Sequence, residues 1–451
     1  MNIVIVSTGQ IARQFAQELS VDFDVTVIHS GDEGRSELER LDVELIDGKG
    51  NDIEVMKRAG AHRADWVIAC ARSDELNLLT CLTARQLGKA HTVCFVEKEE
   101  YVRTFGAFYG GTMQGAPQFG IDQLIWPARM LATRIERILA VPGATDVGRF
   151  ARGKLSFLEY KLVEGIPLVG RPLMEIRSLP SQVLIVGVRR GDEWFVPNGS
   201  SVMEEGDRVH FIGRSESMHQ LSAWFSEHLG TRSSGDVVIV GGGTVGLRLA
   251  RSMERNPAVQ IKLIEHDMER CAEIAQILEK VLVLNGDGCD LDLLESEQVW
   301  RARALVAVTD SDEKNLLASL LGRQLGIKKV VTRVSSHANL RVFERVGIDV
   351  PLSARSAATE AVLHHIRHEE VDLLATLGEG QGEVVELTLS PEFTPRALKE
   401  FELPPDSIIA ALERKGEALV PGGATLLGPG DKAYVVCRPE RVAEVREAIS
   451  G

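Results

Sequence analysis

Short uninterrupted apolar runs recur along the chain. They include Ile3-Val4-Ile5-Val6, Trp66-Val67-Ile68-Ala69, Val237-Val238-Ile239-Val240, Val281-Leu282-Val283-Leu284 and Ala304 to Val308, and Ile261-Lys262-Leu263-Ile264 reads as a further strand broken only by Lys262. Runs of strand length that are apolar on both faces predict strands buried within parallel sheets. After Val240 the apolar positions return with helical spacing from Leu247 to Met253, so a strand, a turn and a helix follow one another. The pattern predicts an α/β architecture.

The chain also repeats itself in order. Ile3 to Ala12 lies over Val237 to Gly246, Val25 to His29 over Ile261 to Glu265, and Gly48-Lys49-Gly50 over Gly286-Asp287-Gly288. Trp66 to Asn77 lies over Ala304 to Asn315, and both share a Ser-Asp-Glu-x-Asn core. Between and after these copies stand two segments of another kind. Each carries a Gly-Asp turn, Gly206-Asp207 or Gly430-Asp431, that leads into alternating β-branched and aromatic residues. Such a pattern reads as a turn entering a strand of a small α+β domain. The expected order is a Rossmann-like domain at 1–127, an α+β domain at 140–228, a second Rossmann-like domain at 234–354 and a second α+β domain at 368–451. The fold class is thus two doubly wound parallel-sheet domains, each followed by a small α+β domain. Residues Gly106 to Gln118, rich in Gly and Phe and present only in the first copy, read as an exposed loop.

Composition narrows the function. The 451 residues carry 51 Lys and Arg against 65 Asp and Glu, a net charge of −14 without a concentrated basic patch, which argues against nucleic acid as a partner. The six cysteines are scattered without a C-x-x-C pair, as expected in a reducing compartment. The N-terminus enters a strand without a basic region or cleavage pattern, and no segment has the length and apolarity to span a bilayer. Any membrane role is expected to be peripheral.

The second Rossmann-like copy carries the candidate chemistry. Gly241-Gly242-Gly243-Thr244-Val245-Gly246 lies between a strand and a helix, the context in which G-x-G-x-x-G binds dinucleotides. Gly241 suits the tight turn, Gly243 the close approach of a pyrophosphate and Gly246 the packing of helix on strand. The helix N-terminus offers N–H groups to phosphates. Glu265, at the end of the next strand, can accept both ribose hydroxyl protons and would repel a 2′-phosphate, which favours NAD or another adenosine ligand over NADP. Asp287, in the Gly286-Asp287-Gly288 loop, is positioned to read the adenine. Thr309 faces the same crevice, and Arg333 can reach a phosphate. In the first copy Ser7 and Thr8 replace Gly241 and Gly242, Ala12 replaces Gly246, His29 replaces Glu265 and Lys49 replaces Asp287, which predicts a vacant or altered site.

Other motifs read as structure. His364 and His368 have a spacing that can chelate zinc, but nothing evident completes a site. Cys289 reads as a packing thiol rather than a redox sensor, and Asp310-Ser311-Asp312-Glu313 as a helix cap rather than a cation site.

Together, the glycine turn, Ile264-Glu265, Gly286-Asp287-Gly288, the Ser-Asp-Glu-x-Asn core and the duplicated order resemble the TrkA family, built from paired RCK (KTN) units. The resemblance covers essentially the whole chain. It implies a regulator and not an enzyme: a peripheral protein at the cytoplasmic face of the inner membrane, assembled as a homotetrameric ring. The partner it implies is an integral membrane potassium-translocating subunit of the Trk type, gated in response to NAD(H), with ATP or ADP as a further ligand class. The family's nucleotide contacts carry over to Gly241 through Val245, Glu265, Gly286, Asp287, Thr309 and Arg333, while the departures in the first copy put a second equivalent site in doubt. The competing readings are an NAD-dependent oxidoreductase, for which no proton donor stands out, and an assembly scaffold that nucleotide merely stabilises.

Overall fold

The computed structural model describes residues 1–451 except 8, 32, 33, 110, 111, 177, 231–234, 336, 368–371, 379 and 451. The chain divides into two compact units, one of Met1–Leu131, Val334–Leu340 and Ser353–Arg367, the other of Ala132–Arg333, Arg341–Leu352 and His368–Gly451.

In the first unit, parallel strands run in the order Glu44–Asp47, Asp24–His29, Asn2–Val6, Trp66–Ala69, His91–Phe95 and Gln123–Ile125. Ile3 to Val6 are buried on both faces, as a central strand between two helical layers requires. Helix Gln10–Leu19 buries Ala12, Phe15, Ala16 and Leu19, the stripe expected of a 3.6-residue period. The segment expected as a loop at Gly106 to Gln118 instead forms a pair of antiparallel strands, Ala107–Tyr109 and Thr112–Gln114, that extends the sheet beyond Gln123–Ile125. Strand-forming residues on either side of a Gly-Gly pair favour a hairpin, and pairing covers a sheet edge.

The last layer of this unit comes from far along the chain. Helix Ala354–Arg367, which follows the second parallel sheet in sequence, places Ala358, Val362, Leu363 and Ile366 in one core with Phe15, Leu19, Trp66 and Phe95. Its His365 ring stands edge-on to Trp66, with centroids 5.6 Å apart, and 6.0 Å from the ring of His91.

The second unit holds a fully parallel sheet in the order Val281–Asn285, Ile261–Glu265, Val237–Val240, Ala304–Ala307, Lys329–Arg333 and Val350–Leu352. Here too a helix of the other half is held. The C-terminal carbonyls of Pro127–Ala140 are gripped by Arg303, whose Nη1 donates to Leu139 O at 2.8 Å, and by Lys329 Nζ, which donates to Val141 O at 2.5 Å and to Ile138 O. Cations suit the negative end of a helix dipole. Burial nevertheless pushes the Lys329 ammonium down to about 7, with Arg303 adding repulsion.

The unit also holds two five-stranded antiparallel sheets, in the orders Glu193–Phe195, Val183–Arg190, Arg208–Arg214, Leu155–Lys161, Asp146–Phe150 and Asp372–Leu377, Gly382–Thr388, Lys432–Cys437, Ser407–Arg414, Glu417–Leu419, and a small antiparallel pair, Arg396–Ala397 with Leu426–Leu427. The two five-stranded sheets share one core, in which Phe157, Trp194 and Ile212 meet Leu377, Val384 and Tyr434. The Trp194 indole occupies a slot that glycine keeps open, since a Cβ on Gly382 would lie 2.5 Å from the ring and one on Gly187 2.8 Å. Both Gly-Asp turns are locked the same way. Asp207 accepts the Glu204 N–H and a two-pronged contact from Arg190, and Asp431 accepts the Gly428 N–H and a two-pronged contact from Arg414. A partly buried ionic cluster joins the first antiparallel sheet to residues just before Val350–Leu352, the edge strand of the parallel one. Arg208 bridges Glu159 and Glu344, each at 2.9 Å, Arg189 meets Glu344 at 2.8 Å, and Lys161 meets Asp349 at 3.0 Å.

Candidate functional site

The strand order of the second parallel sheet reverses direction between Val237–Val240 and Ala304–Ala307, and the carboxyl ends of the strands at such a reversal are where doubly wound sheets hold their ligands. Gly241 turns the chain with φ +107°, and its N–H donates to Ile264 O at 2.9 Å. A Cβ on it would lie 2.9 Å from Thr309 N, so the two strand ends approach as only glycine permits. A Cβ on Gly246 would lie 1.9 Å from Gly241 O, which is how closely helix Thr244–Met253 packs on the turn. Gly243 is the N-cap residue of that helix and makes no side-chain cap, and a Cβ there would meet nothing within 4 Å. The first N–H groups of the helix, those of Thr244 and Val245, therefore begin beside open space, the cradle that a pyrophosphate needs.

Glu265 is buried with its carboxylate toward this turn. Oε2 accepts the Gly242 N–H at 2.7 Å, and Oε1 accepts the Asp267 N–H at 3.0 Å and lies 2.7 Å from His266 Nδ1. Burial raises its pKa, but the N–H groups of Asp267 and Gly242 and the adjacent His266 outweigh that and hold the carboxyl below its usual range. Gly286 N–H donates to Glu265 O at 2.9 Å, which brings the Gly286-Asp287 loop alongside. Asp287 Oδ1 accepts the Cys289 N–H at 2.9 Å, and its carbonyl accepts the Asp290 N–H at 3.0 Å, tying the loop to the next helix. Arg333 Nη1 lies 3.3 Å from Thr309 O. Every residue from Gly241 to Gly246, with Glu265, Gly286, Asp287, Thr309 and Arg333, thus lies at the same end of the sheet, linked contact by contact.

Three contributors have no expectation from the sequence. Arg270 donates Nε–H to Gly242 O at 3.1 Å and pairs with Glu273 at 2.7 Å, bringing a guanidinium to the glycine turn. Only its spacing after Glu265 could have marked it. His266, already described, sits on Glu265. Asn315, fully buried, accepts the Thr309 N–H and Oγ1–H through Oδ1 at 2.8 and 2.7 Å and donates Nδ2–H to Thr309 O and Arg333 O at 3.1 and 3.0 Å. It clamps two strand ends, and its recurrence in the repeat was the available signal.

Ser311 Oγ accepts the Lys314 N–H at 3.2 Å and donates to Glu313 at 2.7 Å, so the acidic run caps its helix. The Cys289 thiol lies 3.5 Å from Lys314 O, and burial, then the Asp287 carboxylate, pushes its pKa up, away from a reactive thiolate. The His364 side chain and His368 lie outside the described residues.

The corresponding crevice of the first copy is built differently. Ser7 Oγ donates to Cys70 O at 2.9 Å and accepts the Gly9 N–H at 3.1 Å, while Thr8 lies outside the described residues. Ala12 is fully buried where Gly246 stands in the second copy. His29, equally buried, has Nε2 3.2 Å from Asp47, and Lys49 is exposed. Asn77 repeats the clamp, accepting the Ala71 N–H at 2.8 Å and donating to Ala71 O and Phe95 O at 2.9 Å each. A cavity of about 610 Å³ in this unit lies at the amino ends of the strands, beside Asn2, Asp24 and Glu44, opposite the end where parallel sheets bind ligands.

The TrkA-N domain family matches residues 3–110 and 237–354, and the TrkA-C domain family residues 157–226 and 384–450. The chain is 32% identical to a Trk system potassium uptake protein TrkA homolog 1 of Methanosarcina mazei over 99% of both chains. It is also 32% identical to a TrkA homolog of Archaeoglobus fulgidus, again over 99% of both, and 30% identical to the TrkA protein of Halomonas elongata over 99% of this chain and 98% of that one. Among solved structures, the GsuK RCK domain superposes with a TM-score of 0.63 at 21% identity, covering 100% of this chain and 95% of that one. The GsuK channel bound to NAD does so with a TM-score of 0.62 at 21% identity, covering 100% of this chain and 79% of that one. Matched by both domain families in duplicate and by relatives along its whole length, the chain belongs to the TrkA family.

Proposed function

We propose that the chain is a peripheral, non-catalytic regulatory subunit of a potassium uptake system that responds to NAD(H) at its second parallel-sheet domain. It acts on an integral membrane potassium-translocating partner of the Trk type from the cytoplasmic face, as a homotetrameric ring. The observation that carries this reading is the crevice at Gly241, where an open helix N-terminus, a buried ionised Glu265 and the Gly286-Asp287 loop lie side by side. Relatives named as potassium uptake proteins and a structural neighbour bound to NAD support the same reading, and a neighbour bound to ADP supports adenine nucleotides as further ligands.

The residues present fit a dinucleotide. The N–H groups of Gly243, Thr244 and Val245 would hold the pyrophosphate, Glu265 the adenosine ribose and Asp287 the adenine edge. Thr309 and Arg333 would meet the remaining half, Arg333 through charge on a phosphate. NAD(H) would supply shape and charge here, not hydride transfer. A ligand moves a two-state assembly only by its differential affinity for the two states, so these contacts must differ between the conducting and non-conducting forms of the ring.

The test is an NADH titration of the purified protein that records sites per chain at saturation and whether NADH is consumed. The expected result is one site per chain with NADH intact. Steady oxidation of NADH would establish an oxidoreductase instead, and absence of binding would leave a scaffold. For the regulatory step, Gly243→Asp should abolish both NADH binding and nucleotide-dependent potassium uptake. Loss of binding with regulated uptake unchanged would defeat the proposal.

A further inference from the structure

A carboxylate offers about four lone-pair directions to donors. At Glu265 three are in use: the Gly242 N–H on Oε2 at 2.7 Å, the Asp267 N–H on Oε1 at 3.0 Å, and His266 Nδ1, 2.7 Å from the same Oε1. A ribose that presents its 2′ and 3′ hydroxyls needs two. Both backbone donors are fixed by the turns that carry them. The imidazole is not, because its side chain is 71% exposed and can swing into solvent.

We propose that His266 is a proton-controlled gate on the ribose contact: as imidazolium it holds Glu265 Oε1 against the second ribose hydroxyl, and on losing its proton it yields that oxygen to the ligand. The inference rests on the assignment of Glu265 as ribose acceptor.

Several charged groups meet at this corner. Glu265 comes from the strand, and Asp267 and Arg270 come from the helix that follows, Arg270 being held on Gly242 O and Glu273. Strand Val281–Asn285 contributes no titratable side chain, only the Asn285 Nδ2–H that donates to His266 O at 3.0 Å. Histidine is the side chain that ordinarily changes charge between about pH 5 and 8. Below that change the ion pair is made and the ribose must displace it. Above it, a neutral imidazole gives way more easily. Affinity therefore rises with pH, and binding near the middle of the change expels a fraction of a proton. In the first copy the acid is His29 and the next residue Ser30, so the gate is confined to the second crevice.

The experiment is calorimetric titration of the full chain with NAD at pH 6 and pH 8, in buffers of different ionisation enthalpy, for wild type and His266→Gln. An exposed ion pair of this kind should make the wild type bind roughly two- to five-fold tighter at pH 8, with proton release. His266→Gln should bind at both pH values with the affinity of the wild type at pH 8 and release no proton. A wild type indifferent to pH, or a variant that keeps the slope, overturns the gate. Tighter binding at pH 6 overturns it too, because the imidazolium would then be touching the pyrophosphate. Absence of NAD binding at either pH instead overturns the nucleotide assignment, and the gate with it.

Discussion

The two parallel-sheet domains share their joints and differ in their crevices. Ser73 and Ser311 cap equivalent helices, and Asn77 and Asn315 tie equivalent strand ends with the same three backbone bonds, to which Thr309 adds its hydroxyl in the second copy. Yet where the second copy presents an open glycine turn and a buried acid, the first presents Ser7, Ala12 and a buried His29. The clasp on the incoming helix differs as well, ionic through Arg303 and Lys329 in one copy and aromatic through Trp66, His91 and His365 in the other. What holds the sheet together has been kept in duplicate. What would touch a ligand has not.

The comparison breaks first at the glycines. Gly243→Asp should weaken NADH binding by more than about a hundredfold, since a carboxylate replaces the open approach to the helix N-terminus. Gly9→Asp, at the same place in the first copy, should change it less than about twofold if that crevice is vacant. Titration of both variants measures the difference, and an equal loss would show two working sites.

Next come the joints, where the copies should agree. Asn77→Leu and Asn315→Leu each leave several buried backbone groups unpartnered and should each cost about 3 kcal/mol in denaturant unfolding. A much smaller loss for Asn77 would mean that the first scaffold is no longer maintained by its clamp. Gly246→Ala should cost about 2 kcal/mol, because its Cβ would stand 1.9 Å from Gly241 O. The same methyl is already accommodated at Ala12.

The smallest effect sharpens the contrast between clasps. The folded chain holds Lys329 near 7, whereas an unfolded chain keeps a lysine protonated up to about 10.4. Between those values the unfolded state binds more protons, so stability rises with pH across that window. From pH 7 to pH 8 the wild type should gain about 1 kcal/mol relative to Lys329→Met, measured by unfolding at each pH. Parallel curves would mean that the ammonium is not buried as the structure has it.

Much of this was legible because it is local. A strand, a glycine turn and a helix occupy consecutive residues, and Glu265 follows at a spacing set by one strand-helix-strand unit. The Gly-Asp turns could be read as turns, though not as the anchors of Arg190 and Arg414. What could not be read is which surface covers which. The helical stripe of Leu131, Ile135, Ile138 and Leu139 states that one face is buried, but a period carries no address, and neither exchanged helix announces its destination. The hairpin at Ala107 to Gln114 was hidden by its glycines, and Arg270 and His266 act through a geometry that no local motif records.

The exchanged helices bear on how such a chain can be divided. Helix Ala354–Arg367 closes the core that begins at Asn2, and the end of Pro127–Ala140 is fastened to strands that begin at Ala304 and Lys329. Neither half of the sequence is therefore a module with a finished surface. A polypeptide cut near residue 232 should yield two fragments that copurify, each lending the other the helix it lacks, and fragments that stay apart as stable monomers would refute this. A fused tandem of this design is in effect a pair whose partners cannot be lost by dilution, and the pairing of its two halves no longer depends on how much protein the cell makes.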